Sequence, residues 1–196
     1  MPVLARAAVA VGGLAMVVLW IPFTLAHGPT SYDEERVVAG MTMLGWGLLL
    51  GVVPNLLVAS GLVVARASVS TGRRSSLALG VVVAALVGSA LQDLAFRALG
   101  PPFSLFLLAP ATLALAVLAG GRDGRAPWAL LATAYVAATG LALVPQGTSD
   151  AFGGFRIYGV AAHVAVGLGW LALASWIAIS PRDGSISPKE AHTWVK

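Results

Sequence analysis

Apolar residues fall in six long runs, at roughly 4–26, 37–65, 77–99, 104–119, 127–145 and 157–179, and the stretches between them hold nearly every charge. An apolar run of about 18 residues or more, coiled as a helix, spans the hydrocarbon of a bilayer. None of the runs alternates in period two, as a membrane barrel would require, and a helix satisfies its own backbone groups in lipid. The pattern predicts an all-α fold, a six-transmembrane-helix bundle, in which the 104–119 run is the shortest span. Residues 180–196 are polar and carry Pro181 and Pro188, so they read as a tail beyond the membrane domain of residues 1–179.

Composition sharpens this. The chain of 196 residues is 58% hydrophobic and 10% charged, where a soluble domain carries about 25% charged residues. Little is left over for a soluble domain. The first run follows Arg6 and ends Thr24-Leu25-Ala26, faintly like a cleavable leader, but about 20 apolar residues exceed the usual leader core; an uncleaved first helix is expected. Cys is absent, which excludes disulfides, thiolate nucleophiles and Cys-ligated metals. The net charge of +4 does not point to nucleic acid, because basic loops are what orients a membrane protein.

Those loops sort by side. Arg6, Arg66, Arg73, Arg74, Arg122, Arg125, Arg182, Lys189 and Lys196 fall on one face of a six-span topology, and Arg36, Arg97 and Arg156 on the other. The positive-inside rule then places both termini in the cytoplasm. The expected location is the bacterial cytoplasmic (inner) membrane, crossed several times. Asp33, Glu34, Glu35, Asp93 and Asp150 lie outside or in the outer half.

Depth makes two buried residues conspicuous. Asp93 sits about six residues from the outer end of the third run, beside Gln92, and His163 sits at nearly the same depth in the last run. A carboxylate in a bilayer is costly and usually faces the bundle interior or a water-filled cavity. Arg97, one turn outward from Asp93, offers a local ion pair as the plain explanation. The other explanation is a shared site with His163. Glu34, Glu35, Gln92, Asp150 and Tyr158 stand at the same level and are the expected ligand-binding set, under an outer loop made supple by Gly147, Gly153 and Gly154. No metal site is expected, since His27 and His163 have no chelating spacing, and no cofactor motif is present. Gly47-x-x-x-Gly51, Ala84/Gly88 and Ala165/Gly169 are small pairs that let helices approach closely. Pro54-Asn55 should kink the second helix, with Asn55 free to cap the released carbonyl.

The acidic, Tyr-containing first outer loop, Gly45-Trp46-Gly47 in the second helix, and Pro145, Asp150 and His163 in the final hairpin together resemble domain of unknown function 998, a bacterial membrane family with no activity to carry over. Six helices with both ends inside are also similar to the vitamin-binding S components of energy-coupling-factor transporters. That likeness implies capture of a substrate from outside and a docking face for a partner membrane subunit, here Ala8, Gly12 and Ala15 on the first helix. No Lys lies within a run, which excludes a retinal Schiff base of the usual kind.

The leading expectation is an outward-facing, polar-tipped pocket that binds or transports a small amphipathic or lipid-like ligand. The alternatives are an intramembrane enzyme acting on a lipid or isoprenoid, with Asp93 as general acid and His163 as its partner, and a purely structural membrane subunit.

Overall fold

The computed structural model describes residues 2–27, 37–70, 72–96, 104–119, 121–143 and 156–179. Helix α1 (Pro2–His27) is apolar from Ala7 to Phe23 apart from the Trp20 indole. Residues 37–42, read from the sequence as the start of the second helix, instead form a small hairpin. Its strands β1 (Val37–Val38) and β2 (Met41–Thr42) pair antiparallel, Val37 opposite Thr42 and Val38 opposite Met41. Ala39 and Gly40 both have positive φ, 50° and 77°, the backbone of a tight two-residue turn that suits the strand twist. Thr42 then caps helix α2 (Met43–Val64) by accepting from Gly45 N at 3.2 Å.

After the short α3 (Arg66–Val69) come α4 (Arg73–Phe96), α5 (Leu105–Leu118), α6 (Gly121–Leu143) and α7 (residues 156–179). Among the described residues, five helices are long and apolar enough to cross a membrane. The sixth, α5, has 14 residues, about 21 Å at 1.5 Å per residue, less than the roughly 30 Å of a hydrocarbon core. Exposed side chains bear out the membrane setting: Leu14, Val18 and Ile21 on α1, Leu107 and Leu113 on α5, and Val160 and Leu168 on α7 are each half or more open. A soluble protein rarely shows apolar surface on every side. The chain is a multi-pass membrane protein.

The helices close into a ring in chain order. Each of α1, α2, α4, α5, α6 and α7 packs on its successor, and α7 returns to α1. Helices in lipid associate through close packing rather than water exclusion, and glycines provide it here. A methyl added at Gly12 would lie 2.8 Å from Pro54 O on α2, and one at Gly13 would lie 2.8 Å from Gly167 O on α7. Gly61 meets Ala5 O in the same way at 2.7 Å, and Gly169 meets Leu131 on α6 at 2.7 Å. Consecutive glycines thus seat α1 against both neighbours. The expected docking face of α1 is therefore covered in part, because Gly12 is buried against α2. The Ala84/Gly88 pair differs again: it faces outward, and a methyl at Gly88 would meet nothing within 4 Å.

Two helices depart from α geometry. Turns of π-helix occupy Leu48–Val52 in α2 and Val160–Ala165 in α7. The first has a plain cause in Pro54, which lacks an N–H for the carbonyl four residues back and crowds it with its ring. Val53 N–H reaches back to Leu48 O instead, and the turn widens.

Candidate functional site

A chamber of about 50 Å³ lies on the axis of the ring, and all six long helices contribute to its wall. Met16 comes from α1, Leu50, Gly51 and Asn55 from α2, Ser89 and Asp93 from α4, Leu105 and Leu108 from α5, Tyr135 from α6, and Tyr158, Ala162, His163 and Val166 from α7. The contributing positions lie toward the C-terminal end of α4 and the N-terminal ends of α5 and α7. The chamber therefore sits in the half of the bundle that carries the 28–36, 97–103 and 144–155 connections. Arg66, Arg73, Arg74 and Arg125 are exposed at the other end.

Both π-turns are at this chamber. One holds Leu50 and Gly51, the other Ala162 and His163. Such turns often mark functional positions, because they aim side chains and free backbone groups that a regular helix would not. Gly51 has a specific task. A methyl on it would collide with the Asp93 carboxylate, so α2 leaves the space that the acid occupies. Asp93 is 7% exposed and follows Ser89 by one turn, which puts both on one face of α4.

Among the described residues, no hydrogen bond or ion pair reaches the side chains of Asp93, Ser89 or Asn55. Asn55 therefore does not cap the carbonyls released by Pro54. Tyr135 is anchored instead: its hydroxyl accepts from Trp170 Nε1 at 3.2 Å, which leaves its own proton to give. His163 stacks on Trp20, with centroids 4.7 Å apart and planes 15° apart. Gly159 makes this arrangement possible, because a methyl there would collide with the Trp20 indole. The stack continues outward through Phe23, 5.6 Å from Trp20, to Trp46, 5.1 Å from Phe23. Trp46 Nε1 donates to Val38 O of the hairpin at 2.9 Å. A line of aromatic contacts thus runs from the chamber to β1.

Of the residues singled out from sequence, Asp93, His163 and Tyr158 line the chamber together. Gln92 is half-buried and does not line it. Glu34, Glu35, Asp150 and Arg97 lie outside the described residues, and so does the local ion pair expected of Arg97. Among the described residues, no cluster of three His, Asp or Glu could hold a metal ion. Sequence reading passed over Ser89, Gly51 as the acid's neighbour, Tyr135 and both π-turns. The i, i+4 spacing of Ser89 and Asp93 was a usable signal, and so was Pro54 for the first π-turn.

The chain matches no family model, no curated protein and no solved structure.

Proposed function

We propose that this protein is a binding or transport subunit of the bacterial cytoplasmic membrane, with both termini inside and the chamber in the outer half. The chamber would seat the polar end of a small amphipathic or lipid-like ligand. One observation carries this reading: six helices converge on a polar space beside a carboxylate that no described residue pairs. An unpaired polar group at membrane depth costs several kcal/mol and is rarely kept without use. Two helices also depart from regular geometry there.

The volume limits what fits. A space of about 50 Å³ is a third of the roughly 150 Å³ that holds benzene. It admits a head group of a few heavy atoms, with any tail lying between helices or in lipid. Acid catalysis by Asp93 on a whole isoprenoid would need a larger space, so binding or transport is the better reading.

The test is a series of single-chain amphiphiles of equal length bearing ammonium, carboxylate, phosphate or hydroxyl heads. Each is added to the purified protein in detergent while thermal unfolding is followed. One head class should raise the midpoint saturably, and Ala162→Leu, which fills the chamber, should remove the rise. If no head class acts, or the filled variant responds equally, the reading fails. Orientation has its own check. Cys introduced at Ser70 should resist an impermeant thiol reagent in intact cells, and Cys at Thr148 should react; the opposite pattern would reverse the topology.

A further inference from the structure

We infer that the chamber is a monovalent-cation site, with Asp93 supplying the charge and Asn55, Ser89 and the widened turn of α2 supplying neutral oxygens. This rests on the reading of the chamber as a ligand site and names the charge that the site selects.

The chemistry of the wall is one-sided. Among the described residues that line the space, Asp93 is the one carboxylate and none is Lys or Arg. The wall also offers neutral oxygens. Ser89 and Asn55 have no described partner, so each has an oxygen lone pair to offer. The backbone adds to these. Val53 N–H is taken by Leu48 O, and Pro54 has no N–H at all. The turn from Leu49 to Gly51 is therefore short of main-chain donors, and Leu50 and Gly51 form part of the wall. Half-unwound helices of this kind present carbonyls to small cations in membrane transporters. An anion would meet the carboxylate and these acceptors, with no fixed positive charge among the described lining residues to offset them.

A buried carboxylate can also be relieved by a proton. A proton needs no room, however, and here a chamber stands beside the acid. Gly51 is required to keep that corner open, since any side chain there would displace Asp93. A water takes roughly 10–15 Å³ of such space, so about 50 Å³ suits one small cation with two or three waters, or an ammonium group with a short stem. The tyrosines add to the case. Tyr158 and Tyr135 line the same wall as Asp93, so aromatic faces and hydroxyl oxygens border the space.

Two sources share this chemistry, an alkali ion and the ammonium end of an amphiphile. The intact protein in detergent, in N-methylglucamine chloride at fixed ionic strength, is titrated with lithium, sodium, potassium or ethylammonium chloride while thermal unfolding is followed. Wild type should show a saturable rise of a few degrees with one of these cations. Asp93→Asn should unfold at or above the wild-type midpoint in N-methylglucamine alone and show no cation response. Asn55→Ala should keep the fold and raise the half-saturating concentration about tenfold, the effect of losing one good ligand. It serves as the test variant if Asp93→Asn does not fold. An alkali response assigns the site to an ion, and a response to ethylammonium alone assigns it to a ligand's head group. Absence of any cation response, or an equal response in Asp93→Asn and Asn55→Ala, overturns the inference. The two proposals fail separately. If a neutral or anionic amphiphile stabilises the protein while no cation does, the ligand reading survives and the cation does not. If sodium acts and no amphiphile does, the reverse holds.

Discussion

The two halves of the bundle obey different rules. In the half nearer the α2–α4 connection, Val9, Leu62, Trp128, Leu131, Trp170 and Leu173 are fully buried, and glycines bring α1 within backbone contact of α2 and α7. Trp128 and Trp170 meet edge to face, with centroids 6.3 Å apart and planes 85° apart. The opposite half has a buried cluster of its own, Trp20, Phe23, Val38, Met43, Trp46 and Leu50, but it is interrupted. It keeps a chamber, a carboxylate and two widened turns. Helices that associate by close packing lose dispersion wherever a space is left, so the chamber is a local cost within the half that holds it. The ring can carry that loss because the other half locks the helices together.

This division predicts opposite responses to substitution. Gly167→Leu would drive a branched side chain into the Gly13 carbonyl and should destabilise the protein by roughly 1–3 kcal/mol, seen as a lower unfolding midpoint in detergent. Gly88→Leu, on the open face of α4, should change the midpoint little. Equal effects would mean that the α1–α7 contact is not what holds the packed half together.

In the chamber half the sign should invert. Asp93→Asn removes a charge and almost no volume. In buffer without small cations it should leave stability unchanged or raise it, by an amount on the order of 1–3 kcal/mol if the acid is ionised and unpaired. Gly51→Ala acts on the same corner by crowding. It should lower the midpoint in the wild-type background but less so in the Asp93→Asn background, because the methyl also strips solvation from an ionised carboxylate and costs a neutral amide of the same volume less. A double-mutant cycle on unfolding midpoints measures that coupling. Strict additivity would separate Gly51 from the acid.

Sequence pattern carries much of this architecture. Long apolar runs mark the long helices, within about four residues at most ends and six at the starts of α2 and α6, and the cost of a carboxylate in lipid singles out Asp93 and, by matched depth, His163. Three things are not legible in it. The hairpin at 37–42 is as apolar as the helix it precedes, and only the positive φ of Ala39 and Gly40 separates the two. Gly-x-x-x-Gly spacing shows that a helix has a thin face without showing what lies against it: Gly51 meets a carboxylate, Gly169 meets Leu131, and Gly88 meets nothing. The wall of the chamber depends on which helices become neighbours, so Tyr135 has no signal that stands out among ordinary helix residues, and Ser89 has only its spacing from Asp93.

The smallest predicted effect concerns how the chamber half is tied to the hairpin. Trp46 is 6% exposed and Val38 is 2% exposed, and the indole N–H of one is bonded to the carbonyl of the other. Trp46→Phe keeps an aromatic ring against Phe23 and deletes that bond, a loss of about 1 kcal/mol. Because the hairpin is only two residue pairs long, the loss should appear locally. Amide exchange across 37–42 should speed up about fivefold, the factor that corresponds to roughly 1 kcal/mol of easier local opening, while the global unfolding midpoint hardly moves. If exchange in the hairpin is unchanged, the aromatic line from His163 through Trp20 and Phe23 ends at Trp46, and the hairpin is held by its apolar contacts alone. If exchange also rises at residues 160–165 of α7, the hairpin and the chamber wall open together, and the chamber half behaves as one unit distinct from the packed half.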